Sequence, residues 1–271
     1  MFLDAIKNGQ SNIINLLLND PRLNLDINEG LQTAAWVGNL NFVSQLLHHP
    51  NINTNALLDA LSNAILRGNL NITNFLLADA RVDPSTNNNK ALNSAIFWNQ
   101  SQIVDRLLQD PRVDPTINNN KALNLAIDSN RPEIVDRLLQ DPRVDPSINN
   151  NKALNLAIDY NRFEIVDRLL QDPRVDPSIN NNEAIRLASR YGRSQIVDRL
   201  LQDLRVNPTA NNNEAIWKAS EEIEGLPDRL DIVSRLLKDH RVWNSLTLKD
   251  RNFFMKKIGK QIPPALAHLS Q

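Results

Sequence analysis

The chain has 271 residues, of which 41% are hydrophobic, 5% aromatic and 23% charged. Its 30 basic and 31 acidic residues give a net charge of −1, so no global electrostatic field favours nucleic acid or an anionic membrane. Cysteine is absent, which excludes disulfides, thiolate metal sites and a cysteine nucleophile, and fits a reducing compartment.

The N-terminal segment carries Asp4 and lacks the basic region and the long apolar run of a secretion signal. No stretch of the sequence reaches the roughly 18 consecutive apolar residues of a membrane span. We therefore expect a soluble, cytoplasmic protein.

One sequence unit is repeated eight times along the chain. The string IVDRLLQDPRVDP and its variants begin at Ile13, Phe42, Ile72, Ile103, Ile134, Ile165, Ile196 and Ile232. From Ile72 to Ile196 each step is 31 residues, whereas the last step is 36 residues because the segment 221–231 adds five positions. That segment is either a recognition loop or a tolerated surface insertion.

Each unit has two stretches with the apolar spacing of a helix. Leu154, Ala157 and Ile158 form the first stretch of one unit, and Ile165, Val166 and Leu169 belong to the second. Helix pairs are predicted near 5–18, 34–47, 64–77, 95–108, 126–139, 157–170, 188–201 and 219–237. A single pair cannot bury its apolar face, so we expect an all-α solenoid of stacked pairs over residues 1–243.

Runs of three asparagines precede five of the first helices, at 87–89, 118–120, 149–151, 180–182 and 211–213. Asparagine side chains can accept hydrogen bonds from the free amides of a first helical turn, so we interpret these runs mainly as helix caps. Prolines such as Pro173 and Pro177 are expected to end the second helix and to stiffen the following loop.

The helix pair resembles the ankyrin repeat. KALNLAI, at residues 121–127 and 152–158, resembles the ankyrin signature TPLHLAA, and EIVDRLL from Glu133 and Glu164 resembles the second-helix pattern EVVKLLL. Pro142 and Pro173 replace the usual glycine after the second helix, and the unit is 31 residues long where ankyrin units have 33. The resemblance implies ankyrin-like helix pairs with a shortened, irregular loop in place of the β-hairpin. It also implies a protein-binding scaffold without catalytic activity.

The units 103–133 and 134–164 differ only at three positions, and two of these differences follow the first helix: Ser129 against Tyr160, and Pro132 against Phe163. The two residues after each first-helix core, which we call the turn pairs, vary throughout the chain. They are Trp36-Val37, Leu66-Arg67, Phe97-Trp98, Asp128-Ser129, Asp159-Tyr160, Arg190-Tyr191 and Glu221-Glu222.

In ankyrin-like stacks the turn pairs line a concave groove, and large aromatic residues there have the composition of an interface. The alternative is that Trp36 and Phe97 pack on the next unit, or that the variation is neutral drift. We predict partner contacts from Trp36, Arg67, Phe97, Trp98, Ser129, Tyr160, Phe163, Arg190, Tyr191, Glu221 and Glu222.

Two charged regions lie outside these predicted contact positions. Asp105-Arg106 and its copies in the next three units should form charged rows on the second helices, where exposed ion pairs add little stability. The C-terminal segment 244–271 is basic, and Leu248, Phe253, Phe254 and Ile258 can share one helical face. We expect a helix that caps the last repeat; the alternative function is an adaptor that docks this helix to an anionic membrane or nucleic acid.

Sequence motifs for catalysis are not found. The four histidines do not form an HExxH pattern, and the aspartate-rich turns lack the glycine and spacing of a calcium loop. The same charged residues also recur in successive repeats, whereas catalysis needs one set of side chains that meet at a single site. We expect no enzyme activity, no cofactor and no metal site.

The sequence therefore predicts a monomeric scaffold that binds a partner protein, with no small-molecule substrate and with nucleic acid and membrane disfavoured as partners. Its asparagine-rich composition also resembles ankyrin-like proteins of intracellular bacteria and giant viruses. That resemblance implies a host-directed effector, with the host cytoplasm as a second location.

Overall fold

The computed structural model describes residues 1–20, 22–221 and 229–259. Regular structure within these ranges is entirely helical, which confirms the predicted all-α fold of repeated helix pairs. The pairs are α1 (Phe2–Lys7) with α2 (Ser11–Leu18), α3 (Ile27–Val37) with α4 (Leu40–Leu47), α5 (Thr54–Leu66) with α6 (Leu70–Leu77), α7 (Thr86–Phe97) with α8 (Ser101–Leu108), α9 (Ile117–Asp128) with α10 (Pro132–Gln140), α11 (Ile148–Asp159) with α12 (Phe163–Gln171), α13 (Ile179–Arg190) with α14 (Ser194–Leu201), and α15 (Ala210–Ser220) with α16 (Leu230–Lys238). Helices α17 (His240–Ser245) and α18 (Leu248–Ile258) follow the last pair.

The chain divides into two compact units, Met1–Val144 and Asp145–Gln271. In unit 1 the first helices pack in the order α1, α3, α5, α7 and α9, and the second helices α4, α6, α8 and α10 pack beside one another. In unit 2, α13 packs between α11 and α15, and α14 packs between α12 and α16. The domain boundary predicted at residue 243 is set by the repeat pattern and stays a prediction.

Alanine permits the close approach of neighbouring first helices. Ala34, Ala64, Ala95 and Ala126 occupy the same position in four repeats of unit 1, and each is fully buried. The branched residues Ile103 and Ile134 of the second helices are buried as well. A buried side chain of that size stabilises the fold by about 1.5–3 kcal/mol, so most of the stability comes from the stacking of repeats rather than from single helices.

The turn between the helices of a pair requires a left-handed residue. Glycine fills this position at Gly38, Gly68 and Gly192, and asparagine fills it at Asn99 with φ of 58°. The chain can then fold back so that the amide of Gln100 donates to the carbonyl of Ala95 at 2.8 Å. This arrangement is a left-handed helix C-cap, for which glycine and asparagine are the favoured residues.

The asparagine runs adopt a conformation that the sequence analysis did not predict. Asn149, Asn150 and Asn151 have φ values of 52°, 58° and 55°, and the other four runs are also left-handed. The third asparagine is buried, and Nδ2 of Asn151 donates to the carbonyl oxygen of Asp176 in the next repeat at 2.6 Å. The runs therefore form a left-handed turn and link repeats, a different role from the expected capping of their own helix.

Arginine side chains connect the loops between repeats. Arg112 donates from Nε and Nη2 to Asp110 at 2.9 and 2.7 Å, and from Nη1 to the carbonyl of Val82 at 2.8 Å. The same donation lowers the pKa of the Asp110 carboxyl. No strand forms among the described loops, in agreement with the expected loss of a hairpin. The arginine bonds supply the inter-repeat links instead.

Candidate functional site

The turn pairs lie at the C-terminal ends of the first helices. In unit 1, Trp36 and Phe97 belong to the last turn of α3 and α7, whereas Arg67, Trp98 and Ser129 are the residues that end α5, α7 and α9. A left-handed residue follows each pair, so the chain reverses directly after it. Most side chains at these positions in unit 1 are exposed, whereas Leu66 and Ser129 are half-buried.

Large aromatic side chains in unit 1 are exposed rather than packed into the stack. Trp36, Phe97 and Trp98 are 44%, 51% and 49% exposed. The Phe97 and Trp98 rings meet edge to face with centroids 5.1 Å apart, and the Arg67 guanidinium lies 5.1 Å from the Trp36 ring centroid. About half of each aromatic surface therefore remains available for contact, which disfavours full packing on the next repeat as the explanation.

The backbone beneath Phe97 is held by the following repeat. Arg131, at the start of α10, donates from Nη2 to the carbonyl oxygen of Phe97 at 3.2 Å. Ser129 is half-buried and offers no large apolar surface. The aromatic part of this site in unit 1 therefore consists of Trp36, Phe97 and Trp98.

Unit 2 has a second aromatic group at its own turn pairs and at the start of the following second helix. Tyr160 ends α11 and is 46% exposed, while Phe163 opens α12 and is 40% exposed. Tyr191 is half-buried, with the Arg190 guanidinium 5.7 Å from its ring centroid. Arg193 donates to the carbonyl of Asp159 at 2.7 Å, which supports the backbone before Tyr160.

The acidic end of the predicted site is described in part. Glu221 follows α15, is exposed, and accepts a bond from the Lys218 ammonium at 3.0 Å. Glu222 and most of the inserted segment 221–231 lie outside the described residues.

A charged face on the first helices was not part of the predicted site. In unit 1, Asp59, Lys90 and Lys121 stand at equivalent positions of the first helices α5, α7 and α9, and all three are exposed. Their charges were visible in the sequence. Each of them lies seven residues before the first residue of a turn pair, as Lys90 lies before Phe97. Residues seven apart lie on the same face of a helix, so these charged residues share a face with the turn pairs.

The second helices carry the predicted charged rows as ion pairs between repeats. Arg199 donates from Nε to Asp167 at 2.6 Å within unit 2, and Arg235 pairs with Asp198. In unit 1, Arg137 pairs with Asp105. These side chains are partly exposed, so each pair contributes about 0–1 kcal/mol and the rows are part of the scaffold.

Helix α18 covers the last helix pair. Phe254 and Ile258 are buried, and the Phe254 ring lies 4.7 Å from the Trp217 ring, centroid to centroid. Leu248 and Phe253 are exposed, so the four apolar residues do not all share the buried face. The ammonium of Lys257 donates to the Ser220 carbonyl.

A second basic residue of α18 is also engaged within the protein. Arg251 donates to the Trp243 carbonyl at 3.0 Å, and its guanidinium lies 4.9 Å from the Trp243 ring centroid. Residues 260–271, including Lys260, lie outside the described residues. The contacts of Arg251 and Lys257 fit a capping role for α18.

Neither a metal cluster nor a membrane span occurs in the described part of the chain. Residues 1–20, 22–221 and 229–259 contain no group of three histidine or acidic side chains able to hold a metal ion. Within the same ranges, every helix is too short or too polar to cross a bilayer.

Comparison with curated proteins gave no match. A family model described as "Ankyrin repeats (3 copies)" matches residues 31–119 and again residues 111–181. The two matches together span more than half of the chain, and they include the unit 1 positions from Trp36 to Ser129.

Proposed function

Since the chain belongs to the ankyrin-repeat family, whose repeats are protein–protein interaction modules, we propose that it is a non-enzymatic scaffold. It binds a partner protein through the turn pairs, which the family resemblance assigns to a concave groove. The observation that carries this proposal is the exposed Phe97–Trp98 pair.

An exposed aromatic pair is unusual for a structural position. Fully burying a phenylalanine side chain is worth about 1.5–3 kcal/mol, and the repeats use smaller or polar residues at the same turn elsewhere, as at Asp128 and Ser129. Tryptophan is also among the residues that contribute most to binding in protein interfaces. The turn therefore does not need the two rings for folding, whereas a partner surface would gain from them.

The other proposed contacts lie at the turn pairs, apart from Phe163 at the start of α12. Trp36 with Arg67 in unit 1, and Tyr160, Phe163, Arg190 and Tyr191 in unit 2, combine aromatic rings with guanidinium groups. Aromatic residues and arginine are enriched in interface cores. We expect the free chain to be a monomer.

The proposal is tested by panning a phage-displayed peptide library on the full chain. Selected peptides should bind the parent and lose about 2 kcal/mol of binding free energy, roughly 30-fold in affinity, when Phe97 and Trp98 are both replaced by alanine. The matched control is Leu16→Ala with Leu204→Ala, which removes exposed apolar side chains outside the turn pairs. The proposal is contradicted if the library yields no binder, or if the selected peptides bind the Phe97 and Trp98 variant as tightly as the parent.

The adaptor hypothesis for the basic C-terminal helix has less support, because Arg251 and Lys257 are engaged by Trp243 and Ser220. The effector hypothesis, with the host cytoplasm as location, rests on resemblance. Selected peptides that match eukaryotic proteins rather than bacterial ones would support it.

A further inference from the structure

The face of the first helices in unit 1 combines charge with the exposed aromatic pair. Lys90 lies seven residues before Phe97 on α7, on the same side of the helix and about 10 Å along its axis. Lys121 has the equivalent position on α9. Neighbouring helices in a packed pair are roughly 8–10 Å apart, so the two ammonium groups can contact groups about 10 Å apart on one ligand.

Several charged residues on the first helices of unit 2 are paired, whereas Lys152 on α11 is an exposed lysine at the position equivalent to Lys90 and Lys121. Arg186 pairs with Glu214 at 3.0 Å, Lys218 pairs with Glu221 at 3.0 Å, and Glu183 accepts a bond from Asn180 at 3.0 Å. Among the described residues, no ion pair involves Lys90 or Lys121. Unit 1 therefore presents two lysines on this face that form no ion pair within the described residues.

A small cleft separates α5 from α7 beside Lys90. Its volume is about 260 Å³, Leu58 and Ala91 contribute apolar surface, and Asp59 and Lys90 contribute opposite charges. This volume is smaller than the 300–1,000 Å³ of most small-molecule sites. It fits a single side chain of a bound segment better than a metabolite.

Resting on the proposed function, we infer that unit 1 recognises an acidic, apolar segment of its partner in polyproline II conformation. That conformation has three residues per turn, so carboxylates three residues apart lie on the same side, about 9 Å apart, and contact Lys90 and Lys121. An apolar side chain of the same segment packs on Phe97 and Trp98. The carboxylates of Glu29 and Asp59 on the same side of α3 and α5 repel a continuous polyanion, which favours a protein segment over nucleic acid.

The test uses three fluorescein-labelled peptides of about 12 residues, which reach roughly 40 Å when extended. They repeat Glu-Leu-Ser, Lys-Leu-Ser or Glu-Ser-Ser, and their binding to the full chain is measured by fluorescence anisotropy. The Glu-Leu-Ser peptide should bind at least tenfold more tightly than the other two, and added salt should weaken its binding.

Charge reversal separates this inference from the proposed function. Lys90→Glu with Lys121→Glu should lower the affinity for the Glu-Leu-Ser peptide about tenfold and raise the affinity for the Lys-Leu-Ser peptide. Lys238→Glu with Lys249→Glu makes the same charge change at exposed positions in unit 2 and should leave both affinities unchanged. Far-UV circular dichroism checks that all variants keep their helices.

Three results overturn the inference. They are failure of the Glu-Leu-Ser peptide to bind the parent preferentially, equal binding by the charge-reversed variant, and tighter binding of an oligodeoxythymidylate at the same lysines. If peptides from the library still bind through Phe97 and Trp98 in any of these cases, the proposed function stands and only the acidic specificity is wrong.

Discussion

Replacing Arg205 by alanine removes a link between two repeats of unit 2. Arg205 donates from Nη1 to the carbonyl of Val175 at 2.7 Å and from Nη2 to the carbonyl of Leu170 at 3.1 Å. It also forms two hydrogen bonds with the Asp203 carboxylate, at 3.0 and 2.7 Å. The substitution therefore leaves two carbonyls of the preceding repeat without their donor and removes the guanidinium from Asp203, which still accepts from the backbone amide of residue 205.

The expected loss follows from these bonds. A hydrogen bond from a charged donor contributes about 1.5–3 kcal/mol. Since 38% of the Arg205 side chain is exposed, solvent screening places the contribution of each carbonyl bond near the lower end of this range. The ion pair with Asp203 adds about 0.5 kcal/mol. We expect Arg205→Ala to lower the free energy of unfolding by about 3.5 kcal/mol. Arg205→Lys should restore only a small part, because an ammonium cannot reproduce the fork of bonds.

The assay is equilibrium urea unfolding followed by circular dichroism, with hydrogen exchange to locate the weakened repeat. Arg22→Ala is the matched control. Arg22 forms the same bonds with Asp20 at 2.8 and 2.7 Å, but its side chain is 85% exposed and, among the described residues, it donates to no carbonyl of another repeat. Equal destabilisation by the two alanine substitutions would refute a role for the inter-repeat carbonyl bonds.

Two further predictions concern the asparagine runs and the loop carboxylates. Asn151→Ala should destabilise the fold by about 1 kcal/mol more than Asn151→Gly, because both lose the bond to Asp176 but glycine tolerates the left-handed backbone. Urea unfolding measures the two free energies. A larger loss for glycine than for alanine, as in right-handed helices, would contradict the prediction. The hydrogen bonds from Arg205 hold the pKa of Asp203 below its usual value. Its stabilisation is therefore complete above the unfolded pKa of about 3.9 and is lost as the pH falls through the lower folded value. Between about pH 5 and pH 2, the free energy of unfolding measured in urea should fall less steeply for Asp203→Asn than for the parent. An equal pH dependence in the two proteins would contradict this assignment.

The candidate site could be predicted in its position but not in its contacts. The comparison of near-identical repeats pointed to Tyr160 and Phe163, and its extension to the other turn pairs pointed to Trp98, because surface positions vary while core positions repeat. The sequence could not show that Trp98 is half exposed, since an aromatic residue at a helix end can turn toward the stack or toward solvent. It also gave no sign that Lys90 and Lys121 lack the ion pairs that Arg186 has in unit 2.

The sequence by itself determined the helix pairs, their period and the alanines between first helices, because apolar spacing is a local property and here it recurs eight times. The tertiary structure decided how the repeats are joined. The carbonyl that accepts from Arg205 belongs to Val175, 30 residues away, and the carbonyl that accepts from Asn151 belongs to Asp176. A local pattern does not specify such partners, because they depend on which backbone groups the stacking brings within hydrogen-bond distance.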